Sequence, residues 1–304
     1  MVNIGIKLAG VSLANPVVPA SGTFGFGTEM ADVYDINLLG GISLKGTTLN
    51  PRVGNPTPRI AECSSGMINS VGLENPGIDA LVAEKLPELR KIYGGAIIAN
   101  ISGFSIDEYV AACAKAAAAP ETDIIEVNVS CPNVHNGGMA FGTSAESAAA
   151  VTKAVKAVTG NKPVFIKLSP NVTDIVSIAK ACEEAGADGI TLINTVLGMR
   201  INIRTRKPIV ANRMGGFSGC AIFPLAVRMV YQVSKAVSIP VMGCGGVATA
   251  EDVVEMMMAG ATAVQVGAEN LREPYCCREI VRELPGLVET LGVKDINEII
   301  GITE

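Results

Sequence analysis

Tryptophan is absent, histidine occurs once, and aromatic residues make up only 4% of the 304 positions. Platforms for stacking bases are therefore scarce. The 24 Lys and Arg stand against 29 Asp and Glu, for a net charge of -5, and no basic run traces a phosphate backbone; both features argue against a nucleic-acid partner. Long apolar runs are missing as well. The longest charge-free stretches are residues 8–28, which carry Pro16, Pro19 and four glycines, and residues 127–145, which carry three asparagines. Neither reads as a membrane span. The start, MVNIGIKLAG, lacks the basic region, apolar run and small-residue cleavage site of a signal peptide, so a cytoplasmic location is expected. No C-x-x-C pair occurs among the eight cysteines (63, 113, 131, 182, 220, 244, 276 and 277). Reduced thiols and no metal site are expected, and any iron-sulfur cluster belongs on another chain. Nor does a G-x-G-x-x-G open a helix after a first strand, which argues against direct NAD binding.

What is present is an alternation. Short apolar runs recur at 16–21, 41–46, 96–102, 124–130, 163–169, 189–195, 240–246 and 263–268, each of strand length and nearly continuous, as in a parallel sheet covered on both faces. Between them lie alanine-rich helical patterns at 76–92, 105–118, 144–159, 173–185, 221–236, 249–259 and 272–283. Ser105, Ser144, Thr173 and Thr249 stand at helix starts, and Gly160, Gly186 and Gly260 at helix ends. Eight strands with intervening helices predict an α/β fold, a (β/α)8 TIM barrel forming one domain over 1–304, with a doubly wound open sheet as the alternative. Residues 47–75 and 196–220 are too long for plain strand-to-helix loops. Both follow strand C-termini, and they are expected to roof the face where barrels build active sites.

The polar residues that end the strands carry the chemistry. Lys45 ends the second, Asn100 the third, Asn128 and Cys131 the fourth, Lys167 the fifth, and Asn194 with Thr195 the sixth. Singly, each has a plain structural reading, such as a terminal asparagine bonding local backbone. Together they form the small set of convergent polar groups expected of a ligand site. Gly243-Cys244-Gly245-Gly246 and Gly267-Ala268 leave bare backbone after the seventh and eighth strands, where barrels commonly bind phosphate, although glycines also simply make tight turns. Cys131, in N-V-S-C-P-N-V-H-N-G-G, sits just past a strand end and is the candidate general base or nucleophile. His135 is four residues on, but no third orienting group supports a thiol-imidazole pair.

Taken in order, S-G-T at Ser21, S-L-K-G-T-T around Lys45, N-P-x-P-R at 55–59, N-S-V-G-L at 69–73, N-V-S-C-P-N at 128–133, Lys167, I-N-T at 193–195 and the paired glycines resemble the dihydroorotate dehydrogenases over essentially the whole chain. A cysteine rather than a serine at the base position and the absence of an N-terminal extension resemble class 1. Residues 196–219 resemble the class 1B catalytic subunit more than the fumarate-linked class 1A homodimer.

That resemblance implies oxidation of dihydroorotate to orotate in pyrimidine synthesis, with one FMN per chain. It implies that FMN is held by Ser21, Lys45, Gly46, Asn100, Asn128, Lys167, Ile193, Gly219, Gly245, Gly246, Gly267 and Ala268. Substrate would meet Lys45, Asn69, Ser70, Val71, Gly72, Leu73, Asn128, Asn133, Asn194 and Thr195, and Cys131 would be the catalytic base. It further implies a partner subunit carrying FAD and [2Fe-2S], passing electrons to NAD+, in a heterotetramer of two catalytic and two electron-transfer chains. The chain departs from the family in G-F-S-G-C at 216–220, where G-L-S-G-P is usual, and in Cys244, where Met or Thr is commoner. Two readings from other classes stand beside this one: a Schiff-base aldolase-type barrel using Lys167, and a non-catalytic phosphate-binding barrel.

Overall fold

The computed structural model describes residues 2–130 and 141–303. Eight short parallel strands run in chain order: β1 (Val17–Pro19), β2 (Gly41–Ser43), β3 (Ala96–Ile101), β4 (Ile124–Asn128), β5 (Val164–Lys167), β6 (Gly189–Leu192), β7 (Val241–Cys244) and β8 (Ala263–Val266). They pair β1-β8-β7-β6-β5-β4-β3-β2, and Gly40 N–H donates to Val17 O at 3.1 Å to close β2 onto β1. The result is the predicted (β/α)8 barrel, and the open-sheet alternative falls. All eight apolar runs are strands, and each strand stops short of the C-terminal end of its run. The polar residues there leave the ladder to face the mouth.

Around the sheet lie α1 (Thr28–Ala31), a continuous helical run α2 at residues 78–90 with a wide turn in its middle, α3 (Ile106–Ala118), α4 (Ala145–Lys156), α5 (Ile175–Glu184), α6 (Phe223–Ser234), α7 (Ala250–Met258) and α8 (Cys276–Thr290). Their apolar stripes, such as Tyr109, Ala112, Cys113 and Ala116 on α3, pack on the barrel's outer face. Ser105, Ser144 and Thr249 accept first-turn amides as expected. On α5 the cap is Asp174, not Thr173, because the Asp174 carboxylate accepts from Ser177 N–H at 3.1 Å and serves the same orphan amide better. Gly160, Gly186 and Gly260 take the positive φ expected at helix ends. Helix α8 runs past the predicted stop at 283 and through Pro285, because Cys276, Cys277, Ile280, Leu284 and Val288 keep one buried stripe across it.

The two long loops are not separate flaps. Val196–Gly198, Gly215–Ser218, Gly66–Asn69 and Ile60–Cys63 pair in that order as one antiparallel sheet, with Asn69 opposite Gly216 and Val196 opposite Phe217. This is the expected roof. Among the described residues no helix is long and apolar enough to cross a membrane.

Closure of the barrel rests on a close approach. A Cβ on Gly40 would lie 1.9 Å from the Asn15 carbonyl oxygen, so β1 and β2 can meet only if this residue has no side chain. Gly40→Ala is expected to cost about 1–3 kcal/mol or more through overpacking, read as a lowered urea midpoint with an unchanged slope.

Candidate active site

At the C-terminal mouth, under the roof sheet, lies a cavity of about 380 Å³, within the range of small-molecule sites. Ser21, Lys45, Gly46, Asn69 through Leu73, Asn100, Asn128, Lys167, Ile193, Asn194, Thr195, Gly219, Gly245, Gly246, Gly267 and Ala268 all line it. Cys131 and Asn133 lie outside the described residues. The fold explains the convergence. Parallel strands in register, with Asn128 beside Lys167, deliver their last residues to one rim, and the roof strand Gly66–Asn69 lowers Asn69 and Ser70 onto it.

On the floor lies a closed polar network. Glu126, in the middle of β4 and 0% exposed, accepts from Ser43 Oγ at 3.1 Å, Asn100 Nδ2 at 2.6 Å and Gln265 Nε2 at 2.6 Å. Lys167 Nζ lies 3.4 Å from the same carboxylate and 2.7 Å from Gln265 Oε1. An isolated carboxylate at this depth would be prohibitive; with a counter-cation and three further donors it is satisfied. Lys167 is thus engaged on two sides rather than presented as a free amine, which tells against the Schiff-base reading.

Higher in the cavity, Asn128 Oδ1 accepts from Ser130 Oγ at 2.6 Å and from Asn194 Nδ2 at 3.3 Å, while Asn194 Oδ1 accepts from Thr195 N–H at 2.8 Å. Asn171 fixes the root of the roof, donating to Thr195 O and accepting from Leu197 N–H. The asparagines are held at defined angles rather than left to rotate. Lys45 Nζ has neither a hydrogen bond nor an ion pair among the described residues. Burial pushes this ammonium below the ordinary lysine value, with Glu74 opposing and Arg59 reinforcing the shift. A half-buried ammonium with no hydrogen bond or ion pair among the described residues is a ready receptor for a carboxylate or another anion.

The residues fit a flavin phosphate. Asn100 spends its Nδ2 on Glu126, while its Oδ1 is buried with no partner among the described residues, so an N–H donor on a planar ring would satisfy it. The amides of Gly245, Gly246, Gly267 and Ala268 donate to no group among the described residues, and α6 begins with no side-chain cap. Free amides beside a helix N-terminus are the physical basis of phosphate binding. Gly246 has φ +78°, and a Cβ there would sit 2.7 Å from Phe223 N; the turn needs glycine in order to lie against α6.

Sequence reasoning missed Glu126, Gln265 and Ser43, which do not reach the cavity, and Ser130, which does. A signal existed. Each of the three is a fully buried polar residue in a mainly apolar strand (I-I-E-V-N, A-V-Q-V and G-I-S), and a buried polar residue demands partners. It missed the apolar lining of the roof too, Met67, Leu197 and Met214, since these positions look merely exposed along the sequence. Cys113, Cys182, Cys244 and Cys277 are buried, and burial pushes each thiol up, as suits unreactive core cysteines. Of these, Cys244 forms part of the cavity wall.

A family model described as "Dihydroorotate dehydrogenase" matches residues 3–288. The chain is 53% identical over 301 residues to "Dihydroorotate dehydrogenase B (NAD(+)), catalytic subunit" of Anoxybacillus flavithermus, covering 99% of this chain and 96% of that one. Proteins of the same name from Geobacillus kaustophilus and Enterococcus faecalis are each 52% identical, over 301 and 297 residues, and cover 99% and 98% of this chain. A match of this length and identity, on a barrel whose mouth gathers the motifs described above, establishes that the chain belongs to the dihydroorotate dehydrogenase family.

Proposed function

We propose that this chain is the catalytic subunit of an NAD-linked dihydroorotate dehydrogenase of the cytoplasm. It oxidises (S)-dihydroorotate to orotate in de novo pyrimidine synthesis with one FMN per chain. Electrons pass to NAD+ through a partner carrying FAD and [2Fe-2S], in a heterotetramer of two chains of each kind. The observation that carries this reading is the cavity itself, which gathers in one roofed space oriented asparagines and, among the described residues, an unpaired cation, an orphaned amide acceptor and a bare-amide cradle. The words "catalytic subunit" in the relatives' names support a partner. Co-expression with such an electron-transfer subunit tests it: the pair should reduce NAD+ with dihydroorotate, and the isolated chain should not. Turnover of the isolated chain with fumarate would favour the class 1A alternative instead.

In this reading FMN is held by the strand-end residues named above, with its phosphate on the amides of Gly245, Gly246, Gly267 and Ala268. When bound, it accepts the hydride that leaves C6 of dihydroorotate. Lys45 pairs with the substrate carboxylate, which relieves the cost of its burial. The amides of Asn69, Asn128 and Asn194 offer donors and acceptors to the ring N–H and C=O groups, Asn194 giving up its bond to Ser130 Oγ to do so. Cys131 takes the proton from C5. Met67, Leu197 and Met214 on the roof keep water from the reacting carbons. Lys167 offsets negative charge on the bound ring.

A substitution separates the phosphate cradle from a plain tight turn. Gly246→Ala forces a Cβ against the Phe223 backbone, so FMN affinity should fall at least tenfold, whereas riboflavin, which lacks the phosphate, should lose far less. Fluorescence titration of the apoprotein with each flavin reads the difference.

A further inference from the structure

Two residues of the cavity wall, Asn100 and Lys167, are bonded from behind by the same carboxylate. Glu126 does not line the cavity and is completely buried. Its contacts to Asn100 Nδ2 at 2.6 Å and Lys167 Nζ at 3.4 Å leave Asn100 Oδ1 without a partner among the described residues and fix the ammonium between β4 and β8. Gln265 closes the ring, donating to Glu126 Oε1 and accepting from Lys167. Ser43 Oγ supplies a fourth donor. Five strands would not converge on one buried anion for packing alone, since a buried ion pair adds little stability over apolar residues of the same volume.

We propose that Glu126 is a positioning residue that sets the electrochemistry of the site. It aims Lys167 and Asn100 at the cofactor, and its negative charge offsets that of Lys167, limiting how strongly the cavity favours the reduced flavin. This rests on the FMN reading above. The physics is a balance of charges in a medium of low dielectric. Reduction adds negative charge to the ring; an unopposed ammonium beneath it would bind that charge tightly, and a carboxylate directly behind the ammonium weakens the attraction.

Glu126→Gln removes the charge and keeps the shape. In the FMN-loaded protein equilibrated with a redox dye, the ratio of reduced to oxidised flavin at fixed dye potential should rise at least tenfold, equivalent to about 30 mV for a two-electron couple. Glu126→Asp, which keeps the charge, should stay within threefold of the parent. A Glu126→Gln protein that holds FMN with an unchanged ratio would overturn the proposal while leaving the FMN assignment intact. A parent chain that takes up no FMN would overturn both. If the Gln variant does not fold, the parent protein decides. Infrared difference spectra between oxidised and reduced flavin should contain a carboxylate band that moves on 13C-glutamate labelling, and absence of that band would contradict the proposal.

Discussion

Cys131→Ala is expected to slow reduction of bound flavin by dihydroorotate by roughly 10²- to 10⁴-fold, the range for losing a general base, with flavin still bound. Among the described residues that line the cavity there is no carboxylate and no imidazole to serve as a base. Lys45 and Lys167 are assigned to the substrate carboxylate and the bound ring, the asparagine amides are not bases, and burial pushes the Cys244 thiol up and away from the thiolate. The sign of the pH dependence follows. A thiol acts as a base only when ionised, so the rate should rise with pH through the titration of Cys131 and level off above it. An unperturbed thiol would place the midpoint at about 8.5. Cys131→Ser should displace this rise to higher pH rather than merely scale it down. Anaerobic stopped-flow reduction across pH 5.5 to 9.5 checks both statements, and it is insensitive to the final electron acceptor.

The second large effect concerns stability as well as chemistry. Lys167→Met removes the counter-cation of Glu126 and leaves a carboxylate at 0% exposure beside neutral donors only. Breaking a buried pair in this way costs about 3–5 kcal/mol, a large share of the 5–15 kcal/mol that holds a typical domain together. The chain should therefore show a strongly reduced urea midpoint and poor flavin retention. The double variant Glu126→Gln/Lys167→Met should recover most of the stability, because no lone charge is left, and yet still bind flavin poorly, because the cavity has lost its cationic floor. A double-mutant cycle with unfolding on one axis and flavin affinity on the other separates the two roles of the pair. Equal stability losses in the single and double variants would mean that the Glu126 charge is not buried as described.

The barrel was legible because its strands are written in an unambiguous alphabet. Runs such as A-I-I-A-N-I and V-F-I-K are apolar on both faces, and only a covered parallel sheet tolerates that repeatedly. The mouth was legible for a related reason: Lys45, Asn128, Lys167 and Asn194 each interrupt apolar character where a strand ends. What the sequence conceals is pairing between distant segments. The roof strands at 60–63 and 196–198 are short and half-exposed, and they join one sheet only because the barrel brings Asn69 opposite Gly216, 147 positions apart. The same holds for the Glu126 network. Its members are visible one at a time as polar residues in apolar strands, but their common destination becomes apparent only once β2, β3, β4, β5 and β8 are arranged in a circle. At the α5 start, two adjacent cap-forming residues competed, and the carboxylate of Asp174 prevailed over Thr173.

The central claim, that this cavity holds a flavin which dihydroorotate reduces, is tested most directly by the visible spectrum of the purified chain before and after anaerobic addition of dihydroorotate. The expected result is a yellow protein whose flavin bands bleach on addition of the substrate and return when an electron acceptor is supplied. A chain that remains colourless after incubation with FMN, or a flavin spectrum that dihydroorotate leaves unchanged, would contradict it.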